Sequence, residues 1–346
     1  MKKNFLLVSV ISLLAACQNN EFTDKDVSNA LVEPQIELSI LTEDVHSRAN
    51  TLNPVSNWEN GDKIGLYAVN QSTLVTYLGA KPNLAYQYSK TERKWLFDPT
   101  TDPAKDKQLY LHSGNATLYA FSPLNKTAED LTAVPLNLNT NVDYLYGTHR
   151  VAPFYVNNQQ TSIKIEMMHA QAYVGVRLKR SIDHPYSQTG NITSIKITGN
   201  TPSGQEAGYV KGTYPATGAL NLSTGAINVS SATRDNVTIA GIGSGVIIPI
   251  VTNTTAPTTS LFYAMIAPEK SDVRKGFQLV VDGKTHFVPI NNIEWKAGYQ
   301  YIYTLTITGK GIDTGDDVNP SDPDDHTNDA LIIRPWASGA DDNYDF

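Results

Sequence analysis

The side chains best able to do chemistry in this chain are its seven histidines, and their spacing decides whether they can act together. His46, His112, His149, His169, His184, His286 and His326 lie far apart, with no His-x-x-x-His or Glu-x-x-His pair to hold a metal from one helix face. They read as structural. The acidic run from Gly311 to Asp325 offers hard oxygen ligands at Asp313, Asp316, Asp317, Asp322, Asp324 and Asp325. It lacks the central glycine and closing bidentate glutamate of a calcium loop, so it reads as a solvated linker. Gly241-Ile242-Gly243-Ser244-Gly245 is glycine-rich like a phosphate loop, but no Lys-Ser/Thr follows and no helix is expected after it. There is no Gly-x-Ser-x-Gly elbow, and one cysteine, Cys17, in the whole chain. Whether two carboxylates meet in space as a glycosidase pair is a question that spacing leaves open. The expectation is a protein that is not an enzyme and takes no cofactor or metal.

Cys17 has another use. Lys2 and Lys3 precede an apolar run from Phe5 to Leu14, and Leu14-Ala15-Ala16-Cys17 closes it with small residues before the cysteine. That order is a signal peptide of the lipoprotein type over residues 1–17, with Cys17 as the lipidated first residue of the mature chain. The run is too short to span a bilayer, which takes about 20 apolar residues. Residues 18–33 are polar and without period, a tether between membrane and body. The implied location is the outer membrane or cell surface.

The rest of the 346 residues must build whatever the tether carries. A net charge of −7 and no Lys/Arg cluster argue against nucleic acid as a partner. Eighteen tyrosines against four methionines, and few charged residues, suit half-buried strands. Ile36, Leu38 and Ile40 alternate with Glu37 and Ser39, and Asn60-Gly61 marks a tight turn into a strand. Ala116, Leu118 and Ala120 share a face, as do Ile163, Ile165 and Met167. Ala172, Val174, Val176 and Leu178 have the opposite parity, so the chain bulges or changes sheet near Met168-His169. Phe277, Leu279 and Val281 lead into Asp282-Gly283, which suits a type I′ hairpin. The stripe Tyr299, Tyr301, Tyr303, Leu305, Ile307 is expected to be a packed sheet face, and Trp58, Trp95, Trp295 and Trp336 core or edge-covering residues. Many short strands without helices predict an all-β chain of antiparallel β-sandwiches, and the length favours two domains. The expected division is 34–160 and 161–346, the second half holding an Asp/Pro-rich linker over 311–327 and a terminal strand over 328–337.

Several short segments together carry a resemblance. They are the Cys17 lipobox; Ser47-Arg48-Ala49, then Trp58 and Gly61-Asp62-Lys63-Ile64-Gly65; Asp143-Tyr144-Leu145-Tyr146-Gly147; His169 heading an Ala/Val strand; Trp295-Lys296-Ala297-Gly298-Tyr299-Gln300-Tyr301; and Ile333-Arg334-Pro335-Trp336. In this order the mature chain resembles the fimbrillin family of Bacteroidetes, the Mfa-like subunits of type V pili. The resemblance implies two tandem transthyretin-like sandwiches, export as a lipoprotein, and polymerisation by strand exchange with other pilus subunits in the service of adhesion. It also implies an arginine-specific protease cutting between Arg48 and Ala49. The displaced strand would then hold Ile36, Leu38 and Ile40, and the candidate donor strand Leu331, Ile332, Ile333 and Trp336. Two plainer readings stand beside it: Arg48 as an exposed loop arginine, and Leu331 and Ile333 as the last strand of their own sandwich. The alternative function is a monomeric surface lipoprotein that binds glycan or host protein through loops.

Overall fold

The computed structural model describes residues 30–40, 57–78, 80–101, 103, 108–149, 154–198, 214–229, 233–234, 236–239, 241–252, 256–268, 275–290, 293–309, 311–313 and 331–335. Among these residues every regular element is a β-strand, and none is a helix. Alternating aliphatic and aromatic side chains, broken by Gly, Asn, Asp and Pro, leave no helical face to bury.

The first sheet has seven strands. In spatial order they are β1 (Gln35–Ile40), β8 (Ser162–His169), β7 (Leu145–Thr148), β5 (Ala116–Ser122), β2 (Lys63–Asn70), β3 (Leu84–Ser89) and β4 (Lys94–Phe97). The sheet curls until its two end strands, β1 and β4, approach within 8 Å between Cα atoms. Inside the curl lie Ile36, Leu38, Ile40, Leu66, Leu84, Trp95, Leu118, Ile163, Ile165 and Met167. Its other face packs Tyr67, Tyr119, Phe121 and Tyr144 against β6 (Val134–Asn137) and β12 (Thr217–Leu220). These two pair with each other, and β13 (Ile227–Val229) completes their three-stranded sheet.

The second core lies between two five-stranded sheets. One joins β15 (Asn236–Thr238), β10 (Asn191–Thr198), β18 (Lys275–Val281) and β19 (Lys284–Ile290), with β16 (Val246–Ile247) also on β10. The other joins β17 (Phe262–Ile266), β9 (Ala172–Arg180), β20 (Tyr299–Thr308) and β21 (Gly311–Asp313), with β22 (Leu331–Pro335) also on β20. A separate ribbon pairs β11 (Tyr214–Pro215) with β14 (Thr233–Arg234).

Several expectations meet their structure directly. Asp282 and Gly283 both have positive φ, 48° and 74°, and join β18 to β19 as a two-residue hairpin. The parity change near His169 is a change of sheet: β8 ends in the first sheet and β9 begins in the second core. Tyr301, Tyr303, Leu305 and Ile307 are buried in that core, the packed face expected of the stripe, while Tyr299 at its start is exposed.

Others need correction. The sandwiches are not antiparallel throughout, because β1 pairs with β8 and β9 with β20 in parallel. Parallel neighbours require long crossovers, and both pairs join strands more than a hundred positions apart in the sequence. The changeover between cores falls at Ala170-Gln171, not at 160, since β8 is needed to seat β1. Nor is the second half confined to its own core, for β12 pairs with β6 in the first half. The tether's end is held: Val32 exchanges backbone hydrogen bonds with Leu111 at 3.2 and 2.7 Å. The linker expected from 311 begins as strand β21, which Thr308 starts by accepting from the Gly311 N–H and donating to its carbonyl. Its continuation, residues 314–327, lies outside the described residues.

Candidate functional site

The displaced-strand residues occupy a distinctive place. Among the described residues, β1 is hydrogen-bonded to one strand only, β8, and forms an end of its sheet. Its ladder puts Ile36 beside Ile163, Leu38 beside Ile165 and Ile40 beside Met167. The side chains of Ile36, Leu38 and Ile40 point into the core and are only 6, 6 and 8 % exposed. Gln35 donates its N–H to the Thr161 carbonyl at 2.8 Å, which fixes the phase of the parallel ladder. Odd-numbered residues therefore turn their backbone groups to β8, and Ile36, Leu38 and Ile40 turn theirs to the open side.

On that open side stands Trp58. Its Nε1 donates to the Leu38 carbonyl at 3.2 Å. Its ring meets the Trp95 ring edge-on, with centroids 4.9 Å apart, and the Tyr88 ring lies 5.4 Å from that of Trp95. Trp95 is buried on β4, and its own indole N–H has no acceptor. Trp58 and Trp95 are thus edge-covering and core residues, as their type suggested, and Trp295 is buried in the second core.

The other short segments of the resemblance hold the frame. Lys63 sits 2.7 Å from the Asp98 carboxylate and donates to Thr101 Oγ1 at 2.9 Å. Burial works against the Asp98 charge, but hydrogen bonds from Lys63, Thr100 and Thr101 outweigh it and hold the carboxyl below its ordinary range. Gly147 lies so close to β8 that a Cβ would strike the Glu166 carbonyl. The Trp295–Tyr301 segment is a turn pinned by phenols: Tyr301 Oη accepts from the Lys296 N–H at 2.8 Å, and Tyr303 Oη from Trp295 Nε1 at 3.1 Å. Burial, opposed by these bonds, raises Tyr301 to about 12 and keeps Tyr303 neutral at any physiological pH.

Of the remaining predicted site residues, Leu331, Ile332 and Ile333 belong to β22, which runs antiparallel along β20 of the same chain, Ile333 opposite Tyr301. Cys17, Arg48, Ala49 and Trp336 lie outside the described residues. No group of three or more His, Cys, Asp or Glu side chains able to hold a metal occurs among the described residues. A pocket of about 230 Å³ lies beside β2, lined by Tyr67, Val69, Leu74, Glu129, Asp130 and Thr132. Its polar groups are largely committed: Asp130 accepts from Thr132, and the Tyr67 hydroxyl donates to the Ala128 carbonyl. No residue pattern announces the Trp58 contact, because a backbone carbonyl has no residue type.

Comparison with known proteins bears on family and fold. The model of the fimbrillin-like family matches residues 47–320. A crystal structure of a candidate cell adhesion protein from Bacteroides uniformis superposes with a TM-score of 0.57 at 14 % identity, over 88 % of this chain and 98 % of that one. One from Bacteroides ovatus gives 0.54 at 12 % identity, over 82 % and 95 %. At such identities the likeness speaks for the fold alone. No curated protein matches the sequence.

Proposed function

This chain belongs to the fimbrillin-like family, and we propose that it is a structural subunit of a type V pilus, working in adhesion at the cell surface and catalysing no reaction. In this reading it is exported as a lipoprotein through Cys17, and an arginine-specific protease cuts between Arg48 and Ala49. β1 then leaves, and a strand from another subunit takes its place beside β8. The two cores correspond to two tandem transthyretin-like sandwiches.

One observation carries the reading: β1 buries three aliphatic side chains yet, among the described residues, is laddered to its sheet along one side only. A strand joined on both sides would have to break two ladders to leave. Its loss would expose the free edge of β8 and an apolar slot, which together form a template for another strand. Refilling that slot with three aliphatic side chains is worth roughly 5–9 kcal/mol of gross burial, enough to make the joint slow to reverse. The donor nominated by the reading is the segment from Ala330 to Trp336, whose β22 portion would have to exchange β20 of its own chain for β8 of the next.

The test is to treat purified precursor with trypsin and follow both the cut and the assembly state. A discrete product beginning at Ala49, followed by a ladder of oligomers, is the expected result. Arg48→Ala protein that polymerises normally in cells would remove the processing step. A cleaved chain that stays monomeric and is retained on a glycan column would favour the surface-binding alternative.

A further inference from the structure

The geometry points to Trp58 as a clamp that reads the backbone of whatever strand fills the slot beside β8, and to a single parity of register in which the C-terminal segment of a second copy would be accepted there. The first half concerns β1 as it stands. The second half rests on the strand-exchange reading above.

Trp58 holds β1 through the Leu38 carbonyl. That contact is independent of the side chain at 38, so any strand lying in the same path offers it a carbonyl. Trp58 follows Arg48 in the chain and so stays with the body when the segment before Arg48 leaves. Its position is fixed from behind by Trp95, which is buried with its indole N–H unpaired. A buried donor without a partner is unfavourable, so the role of Trp95 lies in its ring, against which Trp58 and Tyr88 pack. The clamp closes the middle of β1 on the side where, among the described residues, no strand is laddered to it.

The register follows from the ladder. In β1 the inward residues, Ile36, Leu38 and Ile40, are the ones whose N–H and C=O face away from β8. Run Leu331-Ile332-Ile333-Arg334-Pro335 in the same direction with Ile333 at the position of Leu38. Leu331 and Pro335 then take the positions of Ile36 and Ile40, and Arg334 faces out. Pro335 has no N–H, but at this position none is needed, because the group would point away from β8. The Ile333 carbonyl meets Trp58. A shift by one residue turns Arg334 into the apolar slot and sets the proline nitrogen against β8, where a ladder bond is lost.

Two measurements test this. In the full-length protein with Arg48 intact, Trp58→Phe keeps an aromatic ring, though a smaller one, and removes the N–H. Hydrogen–deuterium exchange at the Glu37 and Ser39 amides, which face β8, is expected to rise about five- to tenfold, the worth of one hydrogen bond, with β5 and β7 unchanged. Exchange within twofold of the parent, or an equal rise in all strands, overturns the clamp. For the register, synthetic peptides of residues 330–336 are added to Arg48-cleaved protein, and release of the fragment bearing β1 is followed. The unmodified and Ile332→Asp peptides should release it alike, and the Ile333→Asp peptide should not. The opposite parity, or equal failure of both variants beside a working parent peptide, overturns the register. A parent peptide that releases nothing overturns strand exchange and the register with it, leaving the exchange rates at Glu37 and Ser39 to decide the clamp.

Discussion

His169 Nδ1 lies 2.9 Å from Asp143 Oδ1, with both side chains almost wholly buried where the chain passes from the first sheet to the second. Leu145 is laddered to His169, and Ala170 donates to the Tyr144 carbonyl at 2.8 Å, so the pair pins the end of β8 to the start of β7. Burial raises the Tyr263 hydroxyl above its ordinary value, and the nearby Asp143 raises it further. Removing either partner breaks a buried hydrogen bond. Asp143→Ala or His169→Ala should each cost about 2–4 kcal/mol in urea unfolding. The double variant should cost clearly less than their sum, because the two single changes remove the same contact.

Asp98 should govern the acid limb of stability. Its carboxyl is depressed in the folded chain against an unfolded value near 3.8, so its contribution is complete above that value and is lost as pH falls through it toward the folded one. Lys63 is partly exposed, and the two threonine contacts share the load, so the carboxylate keeps part of its stabilisation when the lysine is removed. Asp98→Asn should lower the urea midpoint at neutral pH and flatten its fall below about pH 4. A parallel fall in parent and variant would assign the acid limb to other carboxylates.

His286 on β19 works nearer neutrality. Burial lowers its pKa from 6.5, Lys284 lowers it further, and its Nε2 is buried with no acceptor or donor. The unfolded chain therefore takes up the proton first as pH falls, and stability declines below 6.5. Thermal unfolding followed from roughly pH 7 to 5 should show this slope in the parent. It should be reduced in His286→Leu, with the neutral-pH value little changed.

The faces of strands were legible in the sequence, and the identity of their neighbours was not. Alternation at Ile36, Leu38 and Ile40, or at Ala172 to Leu178, says which side is buried because the side-chain period of a strand is two. It carries no record of partner or direction, so the parallel β1–β8 and β9–β20 pairs and the union of β6 with β12 had no signal. Turn chemistry did better, since Asp282-Gly283 needs positive φ at both places and few residue types supply it. Among the polar groups, Arg180 is buried and donates to the carbonyls of Tyr186, Gln188, Thr189 and Ile248. Nothing in its surroundings in sequence distinguishes it from a surface arginine, because its acceptors are all backbone. At the candidate site the three aliphatic residues could be read in advance, while the carbonyl held by Trp58 could not.

A strand held on one side should come away alone. Leu38→Asp removes about a third of the aliphatic burial of β1 and places a carboxylate inside the curl of the sheet, where it has no cation to meet among the cluster residues. The remaining strands of the sheet stay laddered to one another from β8 through β4, so the cheapest response is release of β1. Exchange at residues 35–40 should become as fast as in an unstructured peptide, with β18 and β20 in the second core unchanged. Glu37→Lys, one position away on the exposed side, should leave both regions as they are. If Leu38→Asp instead unfolds the whole first core in one step, β1 is an integral part of that core, and its exchange for another strand would require unfolding far beyond the slot.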